Sequence, residues 1–218
     1  MPLALILISS CLYILQPVSL PLFEFSRIAI ENGELWRLFS GNLMHSNIWH
    51  LLMNLGGLFL ATVLTGHLYS KKHFLLFTCV SFSLVGLFVY FFSPSTKFYV
   101  GLSGYLHGFF IYGALLGILK SYKLKLLHDK YFPLATAKNS AQFKIPQKWL
   151  SKIDFDRNTY LFLLLGLIGK IGYEQIFGAS EQLSQMINIK IATDAHLYGG
   201  ATAVLQFVLL LCYLRIRR

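Results

Sequence analysis

Long apolar runs alternate with short polar segments along most of the chain. Six of these runs are long enough for an α-helix to cross a membrane, since a hydrocarbon core of about 30 Å takes about 20 helical residues. The runs lie at residues 3–22, 47–68, 74–92, 99–119, 159–177 and 193–214. The pattern therefore predicts an all-α polytopic membrane protein, in which residues 1–218 form a single domain built on a bundle of six transmembrane helices.

The first apolar run has the position of a secretory signal peptide but lacks its other features. No Lys or Arg precedes the run, no small-residue cleavage site follows it, and it is longer than the apolar part of a signal peptide. We therefore expect a transmembrane helix here. The more polar segment that follows, about 23–45, is expected to lie at the membrane interface rather than to cross.

Composition agrees with lipid as the solvent for much of the surface. The chain is 56% hydrophobic and 13% charged, whereas soluble domains carry about 25% charged residues. A net charge of +10 is compatible with either nucleic acid or a membrane as the partner. Because the basic residues cluster between the apolar runs, the lipid bilayer accounts for them and no nucleic-acid partner is expected.

The cysteines give no sign of a disulfide or a metal site. Cys11, Cys79 and Cys212 all lie inside apolar runs, and no CxxC pair is present. Single cysteines in such surroundings behave as small apolar side chains. We therefore predict neither a disulfide nor a metal site from them, and we expect no cofactor.

The distribution of Lys and Arg predicts the orientation of the bundle. If the N-terminus is cytoplasmic, 14 basic residues fall on the cytoplasmic side and 4 on the outer side. Cytoplasmic segments are enriched in Lys and Arg, so both termini are predicted to be cytoplasmic. Nine of the 14 lie in a loop predicted at 120–158. This loop is either a solvated segment that fixes the topology or an interfacial segment bound to anionic lipid.

Polar side chains inside the apolar runs are candidates for function, because they are costly in lipid. The candidates are His50, Asn54, Ser103, His107, Lys170, Glu174 and His196. In the predicted topology, the second, fourth and sixth runs all begin on the outer side, and the first polar residues of each lie within about 12 Å of that end. Three helices thus contribute polar groups at one depth, which predicts a shared site.

Small residues beside these polar groups predict that two of the helices pack closely. Gly104 and Gly108 lie in the fourth run next to Ser103, and Gly199 follows His196 in the sixth run. Small residues let membrane helices approach each other, which would bring Ser103 within hydrogen-bonding distance of His196. The alternative is plain close packing around a buried serine.

A serine close to a histidine indicates nucleophilic catalysis. A serine hydroxyl becomes an effective nucleophile when a neutral histidine accepts its proton, and the oxyanion that forms needs hydrogen-bond donors. Ser103 and His196 fit the first two roles. His50, the Asn54 amide and the Ser103 N–H fit the third. Asp194 is two residues from His196 and cannot face it on a helix, so a dyad without a carboxylate is predicted.

Lys170 and Glu174 are spaced i, i+4 near the outer end of the fifth run. We expect them to pair with each other or to extend their charged ends toward water. A role in controlling the access of substrate beside this helix is the alternative.

Four short motifs resemble the rhomboid family of intramembrane serine proteases. They are Trp36-Arg37, His45-Ser46-Asn47-Ile48-Trp49-His50-Leu51-Leu52-Met53-Asn54, Gly101-Leu102-Ser103-Gly104 and Ala195-His196-Leu197-Tyr198-Gly199. The order of the motifs and the six predicted spans also match, so the resemblance covers nearly the whole chain. It implies a six-transmembrane-helix rhomboid-like bundle.

The resemblance also implies a reaction and a role for each motif residue. The implied roles are nucleophile for Ser103, general base for His196, oxyanion stabilisation for His50 and Asn54, and membership of the nucleophile motif for Gly101 and Gly104. The implied reaction is the cleavage of single-span membrane proteins near the outer face of the membrane, with no metal and no cofactor.

Two positions depart from the family pattern. His107 stands where the family usually has Tyr, and Ala203 stands where it often has Gly. A short rhomboid with Gly-Leu-Ser-Gly-x-Leu-His-Gly resembles the rhombosortase subgroup. That resemblance implies a bacterial inner membrane, an active site facing the periplasm, and substrates with a C-terminal Gly-Gly signal, a helix and a basic tail. We hypothesise that the ring of His107 packs against His196 and orients it.

Three other classes of function compete with proteolysis. A catalytically silent rhomboid-like protein would bind membrane clients without an activated serine. His50, His107 and His196, with His45 nearby, could instead ligate a haem or a metal ion, although Ser103 would then have no role. A secondary transporter would carry matching broken helices in its two halves, and the two sets of three runs show none.

Overall fold

Helices account for nearly all regular structure in the computed structural model, which describes residues 2–136 and 147–216. The elements are α1 (Pro2–Ile14), α2 (Ser19–Phe23), β1 (Phe25–Ser26), α3 (Arg27–Glu31), α4 (Arg37–Ser40), α5 (Ile48–Thr65), α6 (Lys71–Phe92), β2 (Phe98–Tyr99), α7 (Ser103–Thr136), α8 (Gln147–Phe177), α9 (Glu181–Ile187) and α10 (Thr193–Ile216). Short 3-10 helices at Gly41–Leu43 and Gly66–Leu68 lie at the two ends of α5.

Four helices of the described chain are long and apolar enough to cross a membrane. They are Ile48–Leu68, Lys71–Phe92, Leu150–Phe177 and Thr193–Ile216. α1 is apolar but shorter, and polar residues such as His107 dilute the apolar character of α7. The all-α polytopic membrane fold is therefore confirmed, whereas the number of six crossings stays a prediction.

The first apolar run is not one continuous helix, so the prediction of a span over 3–22 was wrong in this respect. α1 ends at Ile14, and α2 begins at Ser19. Pro17 lies between them, and a proline lacks the N–H that a helix interior needs while its ring clashes with the preceding turn. The Ser19 hydroxyl donates to the carbonyl oxygen of Leu12 at 2.5 Å, which ties the two helices together across the break.

α7, which contains the fourth apolar run, begins at Ser103 instead of the predicted residue 99. The preceding residues form β2, which pairs antiparallel with β1 and places Tyr99 opposite Phe25. Extended backbone in this strand excludes a helical start. The nucleophile candidate therefore lies at the first residue of its helix rather than one turn inside it.

The predicted loop 120–158 is largely helical where the structure describes it. α7 continues to Thr136 and α8 starts at Gln147, while 137–146 lie outside the described residues. Lys and Leu, frequent in this segment, are good helix formers. Charged residues end the part of a helix that lies in lipid, but they do not end the helix itself, which can continue into water.

α7 lies at the centre of the bundle and packs against α5, α8 and α10. Its contact with α10 is made by glycines. A Cβ atom added at Gly199 would overlap the carbonyl oxygen of Gly104, and one added at Gly108 would lie 2.6 Å from the carbonyl oxygen of Gly199. The two backbones are therefore in direct contact, as the small residues of the sequence predicted.

The segment 23–45 folds over the helix ends and is held by a buried guanidinium. Arg37 is only 5% exposed. Its nitrogens donate to the carbonyl oxygens of Glu24 at 2.9 Å and Pro21 at 2.8 Å, and to the carboxylate of Glu34 at 2.7 Å. A guanidinium carries five donors, so this one residue joins the end of α2 to the residues just before α4.

Candidate active site

The polar residues that stand out in the sequence line one cavity of about 390 Å³. Its walls come from α5, α7, α8 and α10, and α9 with the chain after it covers one side. The polar lining residues include His50, Asn54, Ser103, His107, Lys170, Glu174 and His196. Three helices contribute the predicted site residues, and α8 adds two more.

A tight turn delivers Ser103 to the first turn of α7. Gly101 has φ +116°, and a Cβ atom there would lie 2.5 Å from Nε2 of His50, so only glycine fits. The N–H of Gly101 donates to the carbonyl oxygen of Gly41 at 3.1 Å, and its carbonyl oxygen accepts from the Tyr99 hydroxyl at 2.9 Å. The turn is thus fixed on both sides, and the N–H of Ser103, at the helix start, has no partner within the helix.

The amide of Asn54 is a free donor inside the cavity. Asn54 lies one turn after His50 on α5 and is buried. Its Nδ2 has no hydrogen-bond partner in the described part of the chain. A buried donor without a partner costs free energy, so the amide is poised for an oxygen atom that enters the cavity.

His50 is bonded to Ser46 through Nδ1. The backbone N–H of Ser46 donates to this nitrogen at 3.5 Å, which leaves the proton of the neutral ring on Nε2. The Ser46 hydroxyl oxygen lies 3.1 Å from the same nitrogen, but its proton goes to the carbonyl oxygen of Ile187 at 2.6 Å. The two contacts require opposite tautomers, so the oxyanion roles of His50 and Asn54 both stay predictions.

His196 is held by a carboxylate that comes from α8. Its Nδ1 lies 2.7 Å from Oε2 of Glu174, and the other carboxylate oxygen accepts from Nζ of Lys170 at 2.6 Å. An ionised carboxylate only accepts hydrogen bonds, so Nδ1 of His196 carries the proton. Nε2 is therefore the nitrogen with the free lone pair, and it is buried without a partner among the described residues.

The ring of His107 lies flat against that of His196. The two ring centroids are 4.0 Å apart and the planes differ by 19°. Nδ1 of His107 donates to the carbonyl oxygen of Ser103 at 2.7 Å, and its Nε2 accepts from Nζ of Lys170 at 3.0 Å. Both nitrogens are occupied, so of the two stacked rings that of His196, and not that of His107, offers a lone pair to the Ser103 hydroxyl.

Ser103 and His196 share the cavity, but no hydrogen bond joins them in the described structure. They lie on facing helices whose main chains touch beside them. A Cβ atom at Gly104 would lie 2.8 Å from the carbonyl oxygen of Ala195. Hydrogen bonds of catalytic groups are often long before substrate binds and tighten in the complex.

The sequence argument named Glu174 as a polar candidate but missed its contact with His196. The prediction that no carboxylate is placed to contact His196 was wrong. Only Asp194 was considered, and its carboxylate accepts from the Ser93 hydroxyl at 2.6 Å instead. The expected pairing of Glu174 with Lys170 is observed. The signal that could have found Glu174 was its depth, because the fifth run ends at the level where the second, fourth and sixth begin.

The cluster contains ligand types for a metal ion, but its hydrogen bonds already use them. One ligand atom each of His107, Glu174 and His196 lies within 4.8 Å of the others. The ammonium of Lys170 contacts two of these three residues. The two imidazoles are stacked, so their ring planes are nearly parallel. Lys170 and the bond between His196 and Glu174 therefore occupy ligand atoms of this cluster, and a metal ion would have to displace them.

His45 supports the site from outside the membrane-spanning helices. It is almost fully buried and packs edge-on against His50, with ring centroids 5.1 Å apart. Burial, with a smaller contribution from His50, lowers the pKa of His45 to about 3. The ring is therefore neutral at physiological pH and acts as a packing residue.

Comparison with known proteins assigns the chain to a family. No curated protein matches the sequence. A family model described as the Rhomboid domain matches residues 32–213. This match covers most of the chain, and it includes all four motifs that the sequence argument used. The chain therefore belongs to the rhomboid family.

Proposed function

We propose that the protein is an intramembrane serine endopeptidase in which Ser103 is the nucleophile and His196 the general base. One observation carries the proposal. Nε2 of His196 is a buried acceptor without a partner, and it lies in the cavity that also contains Ser103. A buried polar atom without a hydrogen bond is costly, and a serine hydroxyl that turns toward it satisfies the lone pair and becomes nucleophilic.

The reaction follows from these roles. Nε2 of His196 takes the proton from Oγ of Ser103 as Oγ attacks the scissile carbonyl carbon. The oxygen of the tetrahedral intermediate accepts from the Asn54 amide and from the N–H of Ser103. His196 then protonates the leaving amine, and a water molecule repeats the sequence to release the acyl group from Ser103.

Membrane proteins with a single span are the proposed substrates. Much of the cavity wall is apolar and lies within an apolar bundle, with lining residues such as Met53, Leu106, Phe110 and Leu167. The rhombosortase resemblance adds a C-terminal Gly-Gly signal, a helix and a basic tail on the substrate. The same resemblance supports a bacterial inner membrane, with the cavity on the periplasmic side. The distribution of Lys and Arg supports cytoplasmic termini.

A fluorophosphonate probe tests the nucleophile, because it reacts only with an activated serine. We expect the purified full-length protein to be labelled and Ser103→Ala to be unlabelled. Ser83→Ala is the matched control, since the Ser83 hydroxyl bonds its own helix at Cys79 and lies outside the cavity. A wild-type protein that does not label would instead favour the catalytically silent, client-binding member of the family.

A pair of reporters tests the substrate class. Each is a single-span protein with a basic tail after its helix, and they differ only in carrying Gly-Gly or Leu-Leu before the helix. Co-expression with the wild type should release the Gly-Gly reporter, and co-expression with Ser103→Ala should not. Equal release of both reporters would retain the protease and refute the Gly-Gly specificity.

A further inference from the structure

We propose that Glu174 is a positioning residue for His196, so that the base works within a Ser103–His196–Glu174 triad instead of a dyad. The inference rests on the proposed protease function. Its basis is the bond between Nδ1 of His196 and Oε2 of Glu174, which is 2.7 Å long. The side chains are only 5% and 11% exposed, so water competes little for this bond.

The carboxylate selects one tautomer of the imidazole. A neutral histidine carries its proton on Nδ1 or on Nε2, and the partner of one nitrogen decides which. Because Glu174 only accepts, the proton stays on Nδ1 and the lone pair stays on Nε2. A histidine with the opposite tautomer would present an N–H to Ser103 and could not take its proton.

The second oxygen of Glu174 keeps the carboxylate in place. It accepts from Nζ of Lys170, which also donates to Nε2 of His107. His107 in turn covers one face of the His196 ring. The imidazole of His196 is therefore fixed at its edge by a hydrogen bond and on its face by a second ring, and neither contact uses Nε2.

The proton balance of the reaction is complete within the triad. The proton of the Ser103 hydroxyl moves to Nε2 of His196, which becomes an imidazolium beside the Glu174 carboxylate. Glu174 stays ionised and stabilises that positive charge. The same proton then leaves with the amine of the cleaved peptide bond. The carboxylate thus lowers the energy of the charged intermediate without itself accepting a proton.

Glu174→Gln tests the assignment, because glutamine has nearly the same shape but can donate a proton from its amide. Donation to Nδ1 would hold His196 in the unreactive tautomer. We expect the saturating rate of fluorophosphonate labelling to fall at least about 100-fold, since loss of the orienting carboxylate costs about 10⁴-fold in a known serine protease. The probe concentration at half-saturation should not change. Glu174→Asp, which keeps a shorter carboxylate, should label at least about 10-fold faster than Glu174→Gln.

Two further variants separate positioning from a structural role. Asp194→Asn changes a carboxylate on the helix of His196 that bonds Ser93, and it should label at the wild-type rate. Lys170→Met removes the ion pair but keeps the bond to His196, and it should lose less activity than Glu174→Gln. Only variants whose thermal unfolding temperature in detergent equals that of the wild type are compared.

The outcomes distinguish this inference from the proposed function. Wild-type labelling that Ser103→Ala abolishes, together with Glu174→Gln within about threefold of the wild type, would overturn the triad and retain the protease. Equal losses in Lys170→Met and Glu174→Gln would assign the effect to the ion pair and also refute the triad. A wild type that never labels would refute the protease itself.

Discussion

The carbonyl oxygen of Gly104 occupies the space that a Cβ atom would need at Gly199. Gly104 follows the proposed nucleophile on α7, and Gly199 lies one turn after the proposed base on α10. The contact joins main chain to main chain, so no side-chain rotation can relieve a change at either position. The distance between the proposed nucleophile and base is therefore set by backbone packing.

Gly199→Ala should separate the two helices. We expect a loss of about 1–3 kcal/mol in stability, as for overpacked cores, together with loss of fluorophosphonate labelling. Gly172→Ala is the control, because a Cβ atom at Gly172 on α8 meets nothing within 4 Å and alanine is the better helix former. Thermal unfolding and labelling of both variants check the prediction. Equal behaviour of the two variants would contradict the close contact.

Asn54→Ala should lower kcat for peptide-bond cleavage and leave KM nearly unchanged. Its amide has no partner among the described residues, and in the proposed mechanism it binds the oxygen that becomes negative in the transition state. Removing one such donor costs about 2.7–4 kcal/mol in a known protease, or about 10²–10³ in kcat. Thr62→Ala, which removes a hydroxyl bonded to its own helix at Leu58, should retain kcat. A raised KM with unchanged kcat would count against the oxyanion role.

His107→Tyr should retain measurable cleavage, whereas His196→Ala should be inactive. His107 stacks on His196 and accepts a hydrogen bond from Lys170 at its Nε2. Tyrosine can replace both contacts, because its ring is flat and its hydroxyl can accept from Lys170. Cleavage of a membrane reporter by both variants, each verified as folded and membrane-inserted, gives the measurement. If His107→Tyr is as inactive as His196→Ala, His107 takes part in the chemistry directly.

Acid should destabilise the protein through His45. Burial lowers its pKa to about 3 in the folded state, against about 6.5 in an unfolded chain. Between these two pKa values the unfolded state binds a proton that the folded state does not bind. The free energy of unfolding therefore falls as the pH drops from about 6.5 toward 3, by up to about 1.4 kcal/mol per pH unit. His45→Leu should lose less in unfolding temperature between pH 7 and pH 4 than the wild type. An unchanged pH dependence would assign the acid sensitivity to other groups.

The apolar pattern was sufficient to predict the helices but not their ends. Hydropathy reports which residues suit lipid, and it contains no term for a proline inside a run. The break at Pro17 was therefore missed, although the residue itself is visible in the sequence. The same limit applies to the charged ends of α7 and α8, where helix propensity continues after the apolar character stops.

The sequence was sufficient to group the site residues that lie near the start of an apolar run. It was not sufficient to predict the contact of Glu174, which lies near the end of one. Ser103, His50 and His196 share a depth near the starts of three parallel helices, so counting residues was enough to group them. Glu174 lies on a helix that runs the other way. Its contact with His196 depends on how α8 rotates against α10, and spacing along one helix gives no information on that angle.

In the proposed protease, the bond between Glu174 and His196 would also limit how a substrate enters the bundle. The two residues lie on α8 and α10, so these helices cannot part at that level without breaking the bond. A transmembrane segment that wedged α8 outward would disable the base on arrival. Among the described residues, no hydrogen bond links α5 to either residue, so a segment that displaces α5 leaves them intact. The carboxylate thus holds α8 and α10 together, and the proposed substrate would enter the bundle on the side of α5.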